Sequence, residues 1–206
     1  MDAARVTAIR RRRPGDPAVD VELDSGEVVR VHDRRIAEHR LTAGLPLGGA
    51  GLDALRRAAA FDEAERRALR LLAHRPRSRV ELRSRMAAWG VDDVTAVGVV
   101  ERLEELGHVD DHRLAEAVAE RRHAQGYARR HTASELARLA VGDPAAESVL
   151  AELPEDEMSH AERVVRRRFG PPPYDDRTAR RAAGYLHRRG FDAEVVAAAI
   201  GRSETA

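Results

Sequence analysis

Arginine is the residue type with most chemistry to offer in this chain, and it is clustered. Arg121 and Arg122 lie on one side of Gly126-Tyr127, Arg129 and Arg130 lie on the other, and Arg113 sits just upstream. A second group comprises Arg163, Arg166, Arg167 and Arg168. Within it Arg163 and Arg167 are four residues apart and share a helix face. A guanidinium forks onto carboxylate or phosphate oxygens as an ammonium does not, so such faces suit an acidic protein surface or a nucleic-acid backbone. The ordinary alternative for each cluster is a solvated face paired with nearby glutamates. For the run Arg10 to Arg13, which precedes Pro14, a solvated strand end is the better reading than a phosphate contact.

Other chemistry is thin. The chain has no cysteine, which excludes disulfides and thiolate metal sites. His108 and His112 flank Asp110-Asp111, but this group straddles an expected helix start, where capping is the plainer role than metal binding. Phosphate-loop, nucleophile-elbow and zinc-protease patterns are absent, and the scattered serines and threonines have no histidine at a telling spacing. No catalytic residue, cofactor or metal is expected.

With 206 residues the chain can bury a core in one domain or in a string of small ones. Charged residues make up 34%, yet the formal net charge is only +1. Every one of the 36 basic residues is arginine, and alanine is abundant, so part of the clustering is compositional bias. Aromatic residues, at 3%, are too few for a surface that binds single strands mainly by stacking. The first residues lack a signal peptide's apolar run and no segment is long enough to span a bilayer. A cytoplasmic monomer that makes no membrane contact is expected.

The elements that must carry the arginines fall into two kinds. Val6 to His32 alternates: Val19, Val21 and Leu23, then Val29 and Val31 after Ser25-Gly26, form a hairpin signature with an earlier strand near Val6 to Arg10. A short helix over 33–40 and a Gly-rich connection over 42–51 follow. From Leu52 the chain reads as helix throughout, and it repeats. Aligning Gly90-Val91-Asp92, Val141-Gly142-Asp143 and Gly190-Phe191-Asp192 brings Met86, Leu136 and Leu186 into equivalent places, with a period of about fifty residues.

Each repeat reads as three helices, giving repeats at 52–109, 110–156 and 157–206 after an N-terminal β-rich segment and linker at 1–51. The first holds Ala64, Ala68, Leu71, Leu72, Leu82, Met86, Trp89 and Val94 through Leu106; Ser78 and Glu81 form a capping box. The second holds Leu136, Leu139, Ala146, Val149, Leu150 and Leu153, with Asp143-Pro144 as N-cap and first helical residue, and one residue too many between Leu136 and Asp143. The third holds Ala161, Val164, Val165, Phe169, Ala179, Ala182, Ala183, Leu186, Val195 and Ile200. Such narrow stripes must share burial with neighbours, which favours an elongated, curved array. The segment Pro171-Pro172-Pro173-Tyr174 reads as a stiff linker rather than a ligand for an aromatic groove.

The middle of the chain carries the most information. Val97, Val100, Leu103 and Leu106 form a helical stripe, Gly107 stops that helix, and Asp110 and Asp111 open the next, with Leu114, Ala117 and Val118 apolar. The order LEELGHVDDHRLAEAVAERR, followed by GYARR, resembles the centre of the RecX family, the bacterial modulators of the RecA recombinase. His108, Leu114 and His131 depart from that pattern, where the family usually has Tyr or Phe, often Phe, and often Ile. The resemblance extends over about Glu63 to Gly201 and implies tandem three-helix repeats, while VELDSGEVVRVHDRRIAEHRLTAGLPL is similar to the β-rich extension of longer members.

It implies a regulator that binds the RecA filament on single-stranded DNA, lodges in its groove, limits its growth and lowers its ATPase and strand-exchange activities. Neither cofactor nor catalysis is implied. The contact residues it suggests are Arg113, Arg121, Arg122, Arg129 and Arg130, with Arg163 and Arg167. A rival reading is a helix-turn-helix DNA-binding regulator over Leu69 to Trp89, with Ser78 opening a helix that carries Arg79, Arg83 and Arg85. A general helical scaffold is the third.

Overall fold

The computed structural model describes residues 4–153 and 156–201. The chain divides into two compact units, Met1–Arg75 with Leu82–His108, and Pro76–Glu81 with Val109–Ala206.

In the first unit, β1 (Ala4–Arg10), β2 (Ala18–Leu23) and β3 (Val28–His32) are followed by α1 (Arg34–Glu38), β4 (Pro46–Leu47) and α2 (Gly49–Leu72). The sheet has the order β3-β2-β1-β4, and each pairing is antiparallel. The hairpin expected at Ser25-Gly26 is present: Val19 pairs with Val31 and Val21 with Val29, and Gly26 takes the left-handed turn position at φ 82°. The alternating valines are all buried, and Leu52 and Leu55 from the start of α2 join their cluster. Period two on the strands and period 3.6 on α2 therefore converge on one core. The Gly-rich stretch is more structured than a linker, because it contains β4 and the first turn of α2.

The later part of α2 buries Ala64 and Ala68, and α3 (Arg79–Ala88) buries Leu82 and Met86. In α4 (Asp93–Glu105) the inward stripe is Ala96, Val99, Val100 and Leu103. It is rotated from the sequence expectation: Leu106 is 46% exposed and Val94 84%. The helix starts where the Asp92 carboxylate accepts the Thr95 N–H, and Gly107 ends it at φ 71°.

The second unit contains α5 (Asp111–Ala124), α6 (Arg129–Arg138), α7 (Asp143–Ala151), α8 (Glu157–Phe169), α9 (Asp176–Arg188) and α10 (Ala193–Ala199). Side chains cap α5, α8 and α9: Asp110, Asp156 and Asp175 accept the N–H of Arg113, Ser159 and Thr178. One core gathers Ala115, Val118, Ala119, Leu136, Val141 and Val149; another gathers residues of α8, α9 and α10 around Leu186 and Phe191. Tyr174 packs against the latter and donates its hydroxyl to Gly170 O at 2.7 Å, so the proline segment is a fixed connection.

Met86, Leu136 and Leu186 are each fully buried, and their carbonyls accept the N–H of Val91, Val141 and Phe191 at 3.1, 3.1 and 3.3 Å. The residues just before those donors, Gly90, Ala140 and Gly190, have φ of 79°, 52° and 90°. The true register thus aligns Gly90-Val91-Asp92 with Ala140-Val141-Gly142. The extra residue expected in the second repeat is no insertion. It is an alanine where the other repeats have glycine, and a glycine where they have an aspartate at the N-cap position. Gly142 is the N-cap, α7 begins at Asp143 and Pro144 sits in its first turn, which corrects the expectation of an Asp143 cap. The Asp143 side chain lies outside the described residues.

Candidate partner-binding surface

The arginines of the central stretch are placed by the α5–α6 corner. Gly126, at φ 81°, turns the chain after α5, and its Cα faces Val164 so closely that a Cβ there would lie 2.9 Å from Val164 Cγ2. Tyr127 follows, stacked on His131 with ring centroids 4.2 Å apart and flanked by the guanidiniums of Arg122 and Arg189 at 5.0 and 5.2 Å. The turn is packed on all these sides, not an open hinge.

Arg121 and Arg122 converge on Glu135 of α6. Arg121 Nη2 lies 3.2 Å from Oε1, Arg122 Nη2 donates to Oε1 at 2.9 Å, and Arg122 Nε donates to Oε2. The Arg122 hydrogen bonds hold the Glu135 carboxyl below its ordinary range against the opposing effect of burial, with the charges of Arg122, Arg121 and Arg138 adding to the shift. Glu135 in turn raises the pKa of Arg122. Arg122 also donates to Gln125 Oε1 at 3.0 Å.

The other expected contact residues are dispersed. Arg129 donates to the carbonyl of Leu150, and Arg130 pairs with Asp192 at 3.0 Å, both side chains there being more than half exposed. Arg113 is exposed near the start of α5. Arg163 places Nη2 2.7 Å from His160 Nδ1 and 3.1 Å from His123 Nε2, and those two rings stack at 4.0 Å. Arg167 is exposed one turn further along α8 and shares a depression with Arg163. Among the described residues Arg166, Arg167 and Arg168 have no ion pair.

Three features escaped the sequence reading. Glu135 is the acid that organises Arg121 and Arg122, yet it lies across a turn from them and no periodicity connects the three. His160 is only 3% exposed, buried with polar contacts to Arg163 and to the Tyr127 carbonyl. Its signal was present, since it lies four residues before Val164 on the apolar stripe of α8. In the first unit Asp62 and Glu65 are buried on α2, where Arg34 pairs with both and Arg35 with Asp62.

The run Arg10 to Arg12 meets acids of β2 and of the start of α1: Arg10 pairs with Glu22 at 3.1 Å, Arg11 with Asp33 at 2.9 Å and Arg12 with Asp20 at 2.5 Å. In the helix read as a DNA-recognition element, Arg83 pairs with Asp93 at 2.7 Å. The backbone N–H of Arg79 bonds the Asp111 carboxylate, and Ser78 is buried, donating to Leu139 O at 2.6 Å while accepting the Glu81 N–H. Arg85 is exposed. Among the described residues no three histidine, aspartate or glutamate side chains gather as a metal site would require, and no helix is long and apolar enough to cross a membrane.

Comparison with known proteins agrees with this architecture. Residues 64–103 match the family model for the first three-helix domain of RecX, and residues 155–200 match that for the third. The regulatory protein RecX of Xanthomonas axonopodis pv. citri is 38% identical over 134 residues, covering 65% of this chain and 83% of that protein. The regulatory protein RecX of Stenotrophomonas maltophilia is 38% identical over 131 residues, covering 63% and 80%. A crystal structure of a regulatory protein RecX superimposes with a TM-score of 0.71 at 18% identity, over 96% of this chain and 98% of that one, a likeness of fold.

Proposed function

The chain belongs to the RecX family of regulatory proteins, and from that premise we propose that it binds the RecA filament assembled on single-stranded DNA and restrains its extension, ATPase and recombinase activities. The observation that carries this reading is the 38% identity to proteins named as RecX regulators, over most of their length. In this reading the chain is a cytoplasmic monomer with no cofactor or catalysis of its own, and residues 52–109, 110–156 and 157–206 are its three repeats.

The proposed contact residues are Arg113, Arg121, Arg122, Arg129, Arg130, Arg163 and Arg167. Such exposed cations steer association and fix register more than they add affinity. Arg122, turned onto Glu135, acts chiefly by holding the α5–α6 corner. Some of the others meet the filament's carboxylates or the phosphates of its DNA.

The test is RecA ATP hydrolysis on single-stranded DNA, titrated with this protein. Inhibition well below one copy per RecA supports blockage of filament growth at few sites. Inhibition abolished by excess DNA indicates competition for DNA and favours a DNA-binding regulator. No effect on RecA from the same organism rejects the proposal.

A further inference from the structure

We propose that a depression in the second unit, bounded by the Gly126 turn, α8 and α9, is a phosphate-binding pocket that takes a nucleotide. Its volume, about 400 Å³, is of the size that accommodates a small organic ligand. Arg163, Arg167 and Arg168 line it, and no carboxylate does. A second depression of about 510 Å³ lies along α8, sharing Arg163 and Arg167 and adding Arg166, with Glu162 its single acid.

The charge distribution distinguishes this place from the other arginine clusters. Arg121 and Arg122 end on Glu135, and Arg130 ends on Asp192. Arg166, Arg167 and Arg168 have no such acid among the described residues. The negative end of the α8 dipole favours cations in the last turn, but it requires no concavity and no cluster of three. Arg167 and Arg168, neighbours in the lining of the hollow, offer guanidiniums that suit the oxygens of a phosphate chain, each able to fork onto two of them.

The remaining walls suit the organic part of a nucleotide. Ala124, Val164 and the ring of Tyr185 are apolar surface. The ring is fixed by the Arg189 guanidinium 3.9 Å from its centroid and by the edge of Phe169 at 5.6 Å. Gln125 also lines the hollow, and because its Oε1 accepts from Arg122, its amide NH₂ is left as a donor for a base. An acidic peptide would use the arginines and leave the aromatic wall idle.

Fluorescence anisotropy with N-methylanthraniloyl-ATP and the full chain, without RecA, tests the proposal. Saturable one-to-one binding is expected, displaced by ATP and by inorganic tripolyphosphate. Arg167→Glu combined with Arg168→Glu should weaken it at least about tenfold at an unchanged melting temperature, while Arg85→Glu leaves it intact. Tyr185→Leu should weaken ATP and spare tripolyphosphate. The proposal is overturned by an absence of saturable binding or by binding indifferent to the Arg167/Arg168 change. It is equally overturned by displacement with a single-stranded oligonucleotide and not with ATP, which would make the surface a strand track. RecA is absent from this assay, so its failure leaves the regulatory proposal standing.

Discussion

Glu135 of α6 is gripped by Arg122 of α5 through two guanidinium nitrogens, Nε on one carboxylate oxygen and Nη2 on the other. The bidentate geometry makes this a stronger tie than most partly exposed ion pairs. Glu135→Gln should destabilise the chain by about 1–2 kcal/mol in chemical denaturation. The pair also sets a pH dependence. Folded Glu135 resists the proton that the unfolded residue takes up near 4.5. Below that pH the unfolded state binds more protons, so the contribution, fully present above it, is lost as pH falls through the lower folded value. The variant should show a shallower acid loss of stability than the parent; parallel curves would mean that the tie does not persist in solution.

Ala140 occupies the left-handed position that glycine holds at Gly90 and Gly190, at φ 52°. A Cβ in that region costs about 1–2 kcal/mol, partly offset by the greater chain entropy that glycine loses on folding. Ala140→Gly should therefore stabilise the protein by about 0.5–1 kcal/mol, raising the melting temperature by about 2 °C. A lower melting temperature would place Ala140 outside the left-handed region.

How much was legible follows from what each feature depends on. The hairpin at Gly26 and the burial of Met86, Leu136 and Leu186 rest on local period and spacing, so the residues announced them. The register of the second repeat did not come through, because it was read from the letters Gly and Asp, and the equivalence lies in which carbonyl closes each helix. The arginine clusters were visible, but their partners were not. Glu135, Asp192 and Asp62 are brought to Arg122, Arg130 and Arg34 by tertiary packing, and no sequence spacing encodes that.

Gly126 and Val164 form a close joint between the α5–α6 turn and α8. A Cβ on Gly126 would meet Cγ2 of Val164 at 2.9 Å and Cγ1 at 3.2 Å, and its φ of 81° is itself unfavourable for any side chain. Gly126→Ala should cost about 2–3 kcal/mol from the two effects together. In a double-mutant cycle with Val164→Ala, the clash is relieved and the backbone strain is not, giving a favourable coupling of about 1 kcal/mol. Strict additivity in denaturant melts would show that the two residues do not touch.

Asp62 is 6% exposed and accepts from three residues: the His32 backbone N–H at 2.7 Å, Arg34 Nη2 at 3.2 Å and Arg35 Nη2 at 3.1 Å. It ties α2 to the end of β3 and to α1, and Glu65 shares Arg34 with it at 2.8 Å. Truncation leaves the His32 N–H without its acceptor and leaves Arg34 and Arg35 with one carboxylate each, Glu65 and Glu38, so Asp62→Ala should cost about 2–4 kcal/mol. Asp62→Asn keeps one carbonyl oxygen for the His32 N–H and loses only the charge, so its cost should be roughly half as large. Amide exchange at His32 separates the two roles. It should accelerate strongly in the alanine variant and modestly in the asparagine one. Equal acceleration in both would mean that the charge on Asp62, and not its place as a backbone acceptor, holds the strand end to the helix.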